Sequence, residues 1–408
     1  MAGSLLKEGI ENGWVVKTEV TQKLTLAGNA SVYPVYKIRL NKLFFNDKND
    51  RIATWLTEYM CENGIKEMNM SDLDEYNQII HDFIKKSNPE AIKKTKKNIE
   101  AFDQNVPGVV LLDGRIIDGN RRFTCLRELS RKNPKFDYFE AVILERDFNN
   151  CEKDIKLLEL ELQHGKESRV KYNPIDRLVG MYRDVIENKL LTKEEYARGI
   201  NVSPNEVEKD LAKAKLVMEF LEFINAPKQY HIARELELDG SISELYLMVK
   251  KAKSDEEAEQ IKIAVFTNFV MKPQGDISRF VRGIKTVMQT EYLTPFLEQQ
   301  MELAGELLDK LEGCNHVSTK VLNEVVRTDN QLKEKLNHSM ELAVTKAKRD
   351  KTLDKPLTQL NKSLYNLDDI DLNIFKKLTI QDRNELKNKV KQIEEKLEQL
   401  KNKLEELE

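Results

Sequence analysis

Val109-Val110-Leu111-Leu112-Asp113-Gly114-Arg115-Ile116-Ile117-Asp118-Gly119-Asn120-Arg121-Arg122-Phe123 is the stretch on which the fold of this chain turns. Val109 to Leu112 reads as a short apolar strand, and Arg115 to Asp118 as a second one. The Asp113-Gly114 pair between them suits a two-residue type I′ hairpin turn, in which both central residues need φ > 0. Gly119-Asn120 then breaks the strand and opens a helix that carries Phe123, Leu126 and Leu129 at helical spacing. A glycine between a strand end and a helix start lets a ligand approach the backbone closely. The helix start presents unpaired N–H groups and the positive end of the dipole, and Arg121 and Arg122 add forked donors that match phosphate oxygens. That combination predicts an anion site. The alternative, from local chemistry alone, is that both arginines pair with Asp118 or other surface acids.

Outward from this stretch, Trp14 to Leu26 and Val32 to Leu43 read as strands separated by a turn at Ala27-Gly28-Asn29. Residues 50–100 read as helices, with Ile52, Leu56 and Met60, then Tyr76, Ile79, Ile80 and Phe83, at helical spacing. Phe139 to Leu144 predicts another strand, and Glu152 to Gln163 another helix. Beyond Asn173-Pro174 everything reads as helical. Asn173 is the expected N-cap of the first of these helices. Thr192 with Glu195 predicts a capping box, Gly199 the end of that helix, and Ser203-Pro204 the start of the next. Helix, glycine turn and helix together match a helix-turn-helix. Residues 226–350 are helical with a break near Pro273 and Gly275, and the pattern loosens over 351–371. Leu386, Val390, Ile393, Leu397, Leu400, Leu404 and Leu407 then follow a strict heptad seam. This predicts a short coiled coil that joins two copies; a single amphipathic helix folded back on the body is the alternative.

Composition bounds the function. The chain has 408 residues, 33% charged and 40% apolar, with a net charge of −3, so any contact with nucleic acid must come from local patches rather than a global basic excess. Cys61, Cys125, Cys151 and Cys314 form no C-x-x-C pair, which argues against a zinc site or a disulfide framework. The start of the chain lacks a signal-peptide pattern, and no run approaches the roughly 20 apolar residues of a membrane span. A soluble, cytoplasmic protein without a membrane partner is therefore expected.

Four segments taken in order resemble the ParB-type partition proteins. Val110 to Leu126 is similar to that family's strand, Gly-Glu-Arg-Arg and helix element. Asn46-Asp47-Lys48-Asn49-Asp50-Arg51-Ile52 is similar to its early box, where an arginine follows a polar turn. Leu160-Glu161-Leu162-Gln163-His164 precedes Tyr172-Asn173-Pro174-Ile175-Asp176 much as the family's Glu-Asn-Ile-Gln-Arg box precedes Leu-Asn-Pro-Ile-Glu. The helix-turn-helix pattern stands where the family has its own. The resemblance covers roughly residues 32–220. It implies a ParB/sulfiredoxin-like α+β core, an all-helical arm and a C-terminal coiled-coil helix. It also implies a nucleoside triphosphate, CTP or ATP, bound with Mg2+. In that reading Gly119, Asn120, Arg121 and Arg122 hold the phosphates, Arg51 and Gln163 add contacts, and Glu161 lies near the metal. Asn120 replaces the family's glutamate, and an amide cannot act as a base, so any hydrolysis expected is that of a weak, CTPase-like NTPase. His164 stands where the family has arginine. The related sulfiredoxins place a catalytic cysteine at the position of Asn120, so that activity is not expected.

Residues 81–140 hold thirteen basic and nine acidic side chains, and the cluster Lys93, Lys94, Lys96 and Lys97 is a candidate for DNA phosphates; a solvated helix face is the alternative. On the second helix of the helix-turn-helix, Asn205, Lys209 and Lys213 are candidate DNA contacts, set among Glu206, Glu208 and Asp210, which repel phosphates. The expected organisation is an N-terminal hairpin (1–31), a phosphate-binding core (32–168), a helix-turn-helix-like region (169–225), a helical region (226–350), and a linker with coiled coil (351–408). The leading reading is a dimeric, nucleotide-regulated DNA-binding or DNA-clamping adaptor. A metal-dependent nuclease or NTP-dependent phosphotransfer enzyme is one alternative. A protein-interaction module with a degenerate nucleotide site, its partner held by the helical region, is the other.

Overall fold

A computed structural model describes residues 5–26, 29–145, 148–164, 173–273, 275–313, 317–353 and 355–407. The chain divides into two compact units, Met1–Val344 and Thr345–Glu408.

The first unit opens with a short helix, α1 (Glu8–Glu11), and builds one six-stranded sheet. Its strands are β1 (Val15–Leu26), β2 (Asn29–Arg39), β3 (Phe44–Phe45), β4 (Gly108–Leu111), β5 (Arg115–Asp118) and β6 (Tyr138–Leu144), in the order β1-β2-β6-β4-β5-β3. The pairs β4–β6 and β3–β5 are parallel and the rest antiparallel. The Val and Thr content of β1 suits a pleated surface. The strand pattern of the sequence runs on to Leu43, but β2 stops at Arg39. There Leu40 donates its N–H to Asp137 O and turns the chain through a 3-10 turn. Phe44 donates to Gly114 O, so Phe44–Phe45 joins the far edge of the sheet as β3.

Helices cover both faces of the sheet, which is why Val109, Val110 and Leu111 of β4 are apolar in succession and Ile116 and Ile117 of β5 are both buried. Successive residues point to opposite faces. Val110 and Ile116 pack with Phe45, Phe123 and Phe139 under α2 (Ala53–Glu62), α3 (Leu73–Ser87), α4 (Pro89–Phe102) and α5 (Asn120–Ser130). Val109, Leu111, Ile117 and Val142 pack on the other side against Ile155, Leu158 and Leu162 of α6 (Phe148–His164).

The connection between β4 and β5 is not a type I′ turn. Gly114 donates its N–H to Leu111 O, and Gly114 alone takes a positive φ, +95°. The loop is thus three residues, a turn closed by a left-handed glycine, and the ladder slips between Val109 and Val110. Tertiary contact selects it: a Cβ on Gly114 would stand 2.4 Å from Lys42 O.

The remaining helices of the first unit are α7 (Pro174–Tyr182), α8 (Lys193–Ile200), α9 (Pro204–Phe223), α10 (Tyr230–Glu235), α11 (Asp239–Val249), α12 (Asp255–Met271), α13 (Ile277–Val287), α14 (Leu293–Glu312), α15 (Thr319–Val321) and the start of α16 (Asn330–Leu353). Asn173 caps α7, and Thr192 with Glu195 forms the capping box of α8. Gly199 does not end α8. Asn201, at φ 57°, does so, while Gly199 lies inside the helix where a Cβ would meet Leu160 of α6 at 3.3 Å. Its lack of a side chain serves packing. Alpha-helix α12 is buried continuously from Ala264 to Met271, with Phe266 and Phe269 against Phe220 of α9, so it is the central helix of residues 226–344.

In the second unit, α17 (Lys355–Asp368) occupies the segment whose pattern loosens in sequence, and α18 (Ile380–Glu405) carries the heptad seam. Leu357, Leu360, Leu364 and Leu367 on α17 already repeat at the spacing 3,4,3, a signal hidden by the polar residues between them; they are 40–63% exposed.

One buried ion cluster ties α6 to its surroundings. Lys156, whose side chain is 8% exposed, reaches Asp50 at 2.8 Å, Asp184 at 3.3 Å and Glu159 at 3.6 Å. Burial disfavours the ammonium, but the three carboxylates outweigh it and hold its pKa well above the usual lysine range. Lys156→Met leaves buried carboxylates without a cation and should cost about 3–5 kcal/mol in urea unfolding; a loss under 1 kcal/mol would show the cluster to be solvated. Nearby Asp176 accepts from Thr54 Oγ1 at 2.7 Å, and burial pushes its pKa up from 3.8 to about 6. The native state therefore holds a proton that the unfolded chain releases, and this group's contribution to stability falls as pH rises from about 4 to 6. Asp176→Asn should remove that slope; an unchanged pH profile of unfolding would contradict it.

Candidate phosphate-binding site

Gly119 is the N-cap of α5, in the left-handed region at φ 108°. Glycine is required there twice over. An L side chain rarely adopts that angle, and a Cβ would stand 2.7 Å from Phe139 Cζ. The first helical bond runs from Phe123 N–H to Gly119 O. No side chain caps the helix, and no acid lies in its first turn. The N–H groups of Asn120, Arg121 and Arg122 precede the first intrahelical donor.

This helix start lines a cavity of about 690 Å³. The 3-10 turn Asp50–Ile52 brings Arg51 to it, and α4 brings Lys94 and Lys97. Asn49 accepts from Arg51 N–H at 3.0 Å, and Asn77 holds Phe45 N–H at 3.1 Å, which fixes the loop leading to Arg51. Five cations (Arg51, Lys94, Lys97, Arg121 and Arg122) thus line one cavity that holds the carboxylates Asp103 and Asp118. Arg122 donates to Asp118 at 3.2 Å and to Pro107 O at 3.3 Å, so the local pairing open in the sequence is realised for this arginine. Its Nε and the Oδ1 of Asn120 are nonetheless buried without a hydrogen-bond partner. Orphaned buried polar atoms are rare in folded proteins and call for a ligand or water. Uncapped N–H groups, positive dipole and clustered cations suit a polyanion of phosphate type.

Arg51, Gly119, Asn120, Arg121 and Arg122 therefore meet, although Arg51 is far from the others in sequence. The lysines of α4 divide. Lys94 and Lys97 line the cavity, and Lys93 is exposed. Lys96 is held by Glu128 at 2.6 Å, with Lys85 at 2.9 Å from the same carboxylate. Burial raises the Glu128 pKa, but these lysine hydrogen bonds outweigh it and bring the group to about 2. Glu161 does not line the cavity; its Oε2 is buried without a hydrogen-bond partner, and burial pushes its carboxyl up. Gln163 lies near the end of α6, and its side chain falls outside the described residues, as does that of His164. Among the described residues no group of three or more His, Cys, Asp or Glu side chains comes together to hold a metal ion. The cavity's donor set fits an anion, and the acids among its described lining residues are Asp103 and Asp118.

On α9, Asn205 and Lys209 are exposed. Lys213 is bound to Asp210 at 3.0 Å, and Arg177 binds the same carboxylate at 2.7 Å. Glu206 closes the capping box of Ser203. Two of the three acids that the sequence sets against phosphate are thus committed locally, which leaves Glu208 with Lys193 at 3.8 Å.

Sequence reasoning missed the α4 wall. Ala91, Lys94, Thr95, Asn98 and Phe102 all line the cavity, and their spacing places them on one helical face. The signal was present, but in sequence the lysines stand as candidates for DNA phosphates, with a solvated face as the alternative, rather than as a wall of this cavity.

No family model matches the chain, and no curated protein does either. Solved structures do. The chain is similar to the Pnob8-like ParB-N domain in its C2221 form, with 12% identity and a TM-score of 0.31 over 56% of this chain and 89% of that one. It is also similar to the C-terminally truncated chromosome-partitioning protein ParB from Caulobacter crescentus complexed with CTP-γ-S, with 12% identity and a TM-score of 0.19 over 56% and 98%. Both belong to the family named from the sequence motifs. At these TM-scores the site rests on its own geometry. Among the described residues no helix is long and apolar enough to cross a membrane.

Gly119→Ala combines a strained φ with a clash and should cost about 1–3 kcal/mol, read as a lowered urea midpoint. A variant as stable as the parent would show that the junction can relax.

Proposed function

We propose that this chain binds a nucleoside triphosphate in the cavity at the start of α5, with CTP the first candidate, and that the bound nucleotide regulates association of a dimer with DNA. The observation that carries the nucleotide part is the uncapped, glycine-started helix facing a cavity with five cations and two orphaned polar atoms. A phosphate oxygen would accept from Arg122 Nε–H, while Asn120 Oδ1, an acceptor, calls for a donor such as a hydroxyl or amino group of the nucleotide. The solved partition protein that resembles the chain is complexed with CTP-γ-S, which motivates the choice of base to test first. Asn120 supports control by binding and release rather than by turnover, since its amide offers no general base. Mg2+ would depend chiefly on oxygens of the nucleotide itself. The exposed Asn205 and Lys209 of α9, with Lys93 of α4, are the DNA contacts of this reading, and α18 is the joining element.

Calorimetry with CTP, ATP and GTP, each with and without Mg2+, tests it. Saturable binding of one nucleotide is expected, weakened at least tenfold in Arg121→Ala, since a charge-assisted contact contributes about 1.5–3 kcal/mol. Absence of binding by every nucleotide would overturn the reading and favour direct binding of a nucleic acid or protein.

A further inference from the structure

The seam of α18 has a direction written into its charges. Val390, Ile393, Leu397, Leu400 and Leu404 are 40–63% exposed and form the apolar stripe of the helix. Leu386, at the head of the stripe, shares a pocket with Phe375 and Leu378 and is half-covered. With Val390, Leu397 and Leu404 at heptad position a, Ile393 and Leu400 fall at d. The flanking row at g is then Asp382, Lys389, Lys396 and Lys403, and the row at e is Lys387, Glu394 and Lys401. Each g lysine donates within its own chain segment, Lys389 to Gln392, Lys396 to Gln399 and Lys403 to Glu406.

These rows distinguish the ways in which two such helices can pair. In an antiparallel pair the g rows face one another and so do the e rows; in the register that stacks Val390 on Leu400, Lys389 meets Lys403, Lys396 meets its own copy, Lys387 meets Lys401 and Glu394 meets its own copy, all like pairs. In a parallel, in-register pair each g residue faces the e residue five positions further along its partner. Lys389 then meets Glu394, and Asp382, the partner of Thr379 in the capping box of α18, meets Lys387; Lys396 meets Lys401 as a like pair. Apolar burial drives either arrangement, and charge at e and g chooses between them.

We propose that the occupant of this seam is α18 of a second copy of the chain, parallel and in register. The proposal rests on the dimer part of the reading above and fixes its geometry. Both copies then enter the coil from the same end, at Thr379.

The test uses the full chain. Light scattering reads the mass, and two copies are expected. Leu400→Cys should give a disulfide-linked dimer on oxidation that wild type, with its own four cysteines, does not give. A mixture of Val390→Cys and Leu400→Cys should give no mixed dimer, because the two positions lie about 15 Å apart along parallel helices. Lys389→Glu should weaken dimerisation roughly tenfold, since two exposed pairs become repulsive, and adding Glu394→Lys should restore it. A mixed Val390–Leu400 disulfide, with tighter association of Lys389→Glu, would overturn the parallel arrangement and leave the dimer standing. A monomeric mass would overturn both, and a mass of three or four copies would overturn the pair.

Discussion

The junction at Gly119 is the constraint on which the core depends. There β5 ends, the backbone passes through φ 108°, and α5 begins against Phe139 of β6. Gly108 of β4 is as tightly placed, since a Cβ there would stand 2.3 Å from Phe139 Cζ. Two glycines thus let a phenylalanine ring fill the space beneath the helix start. The close approach that packs the core also leaves the first-turn N–H groups open toward the cavity. Structural and chemical demands on this segment have one origin, the absence of a side chain.

Adjacent residues carry the coupling between core and arm. Arg51 lines the cavity, while Asp50 turns inward to Lys156 of α6. A Cβ on Gly180 of α7 would touch Asp50 at 2.5 Å, and Asp184, just beyond α7, completes the cluster around Lys156. Alpha-helix α6 packs Leu158 on the sheet and Leu160 on α8. A buried cation shared by three carboxylates is costly to dismantle, so a shift of the loop that holds Arg51 is felt at α6 and α7 through one side chain. The joint is built from polar groups in a dry setting, where geometry is specified more sharply than by apolar contact.

Near the helix-turn-helix pattern, charge is arranged differently from what its one-dimensional spacing implies. Asp210 lies between Arg177 and Lys213, and Glu206 is spent on its own helix cap. A count of acids along α9 overstates the negative potential it presents, because partners come from α7 as well as from α9 itself.

Local chemistry by itself determined a good deal. Alternating and continuous apolar runs marked the strands and their doubly covered faces, caps such as Asn173 and Thr192 marked helix starts, and the heptad of α18 marked its seam. Gly119 and the arginines after it marked the strand–helix junction that lines the cavity. Tertiary structure alone decided the rest. The hairpin at Gly114 takes its form from Lys42, a residue remote in sequence, and Gly199 serves packing on α6 rather than termination of α8. Phe44–Phe45 becomes an edge strand only because Gly114 O accepts from it. Lys94 and Lys97 face the cavity while Lys96 is claimed by Glu128, a division that depends on which face of α4 meets α5. Covalent neighbours fix propensity and spacing, but which groups lose water together, and which charges meet, is set by residues that folding brings from elsewhere in the chain.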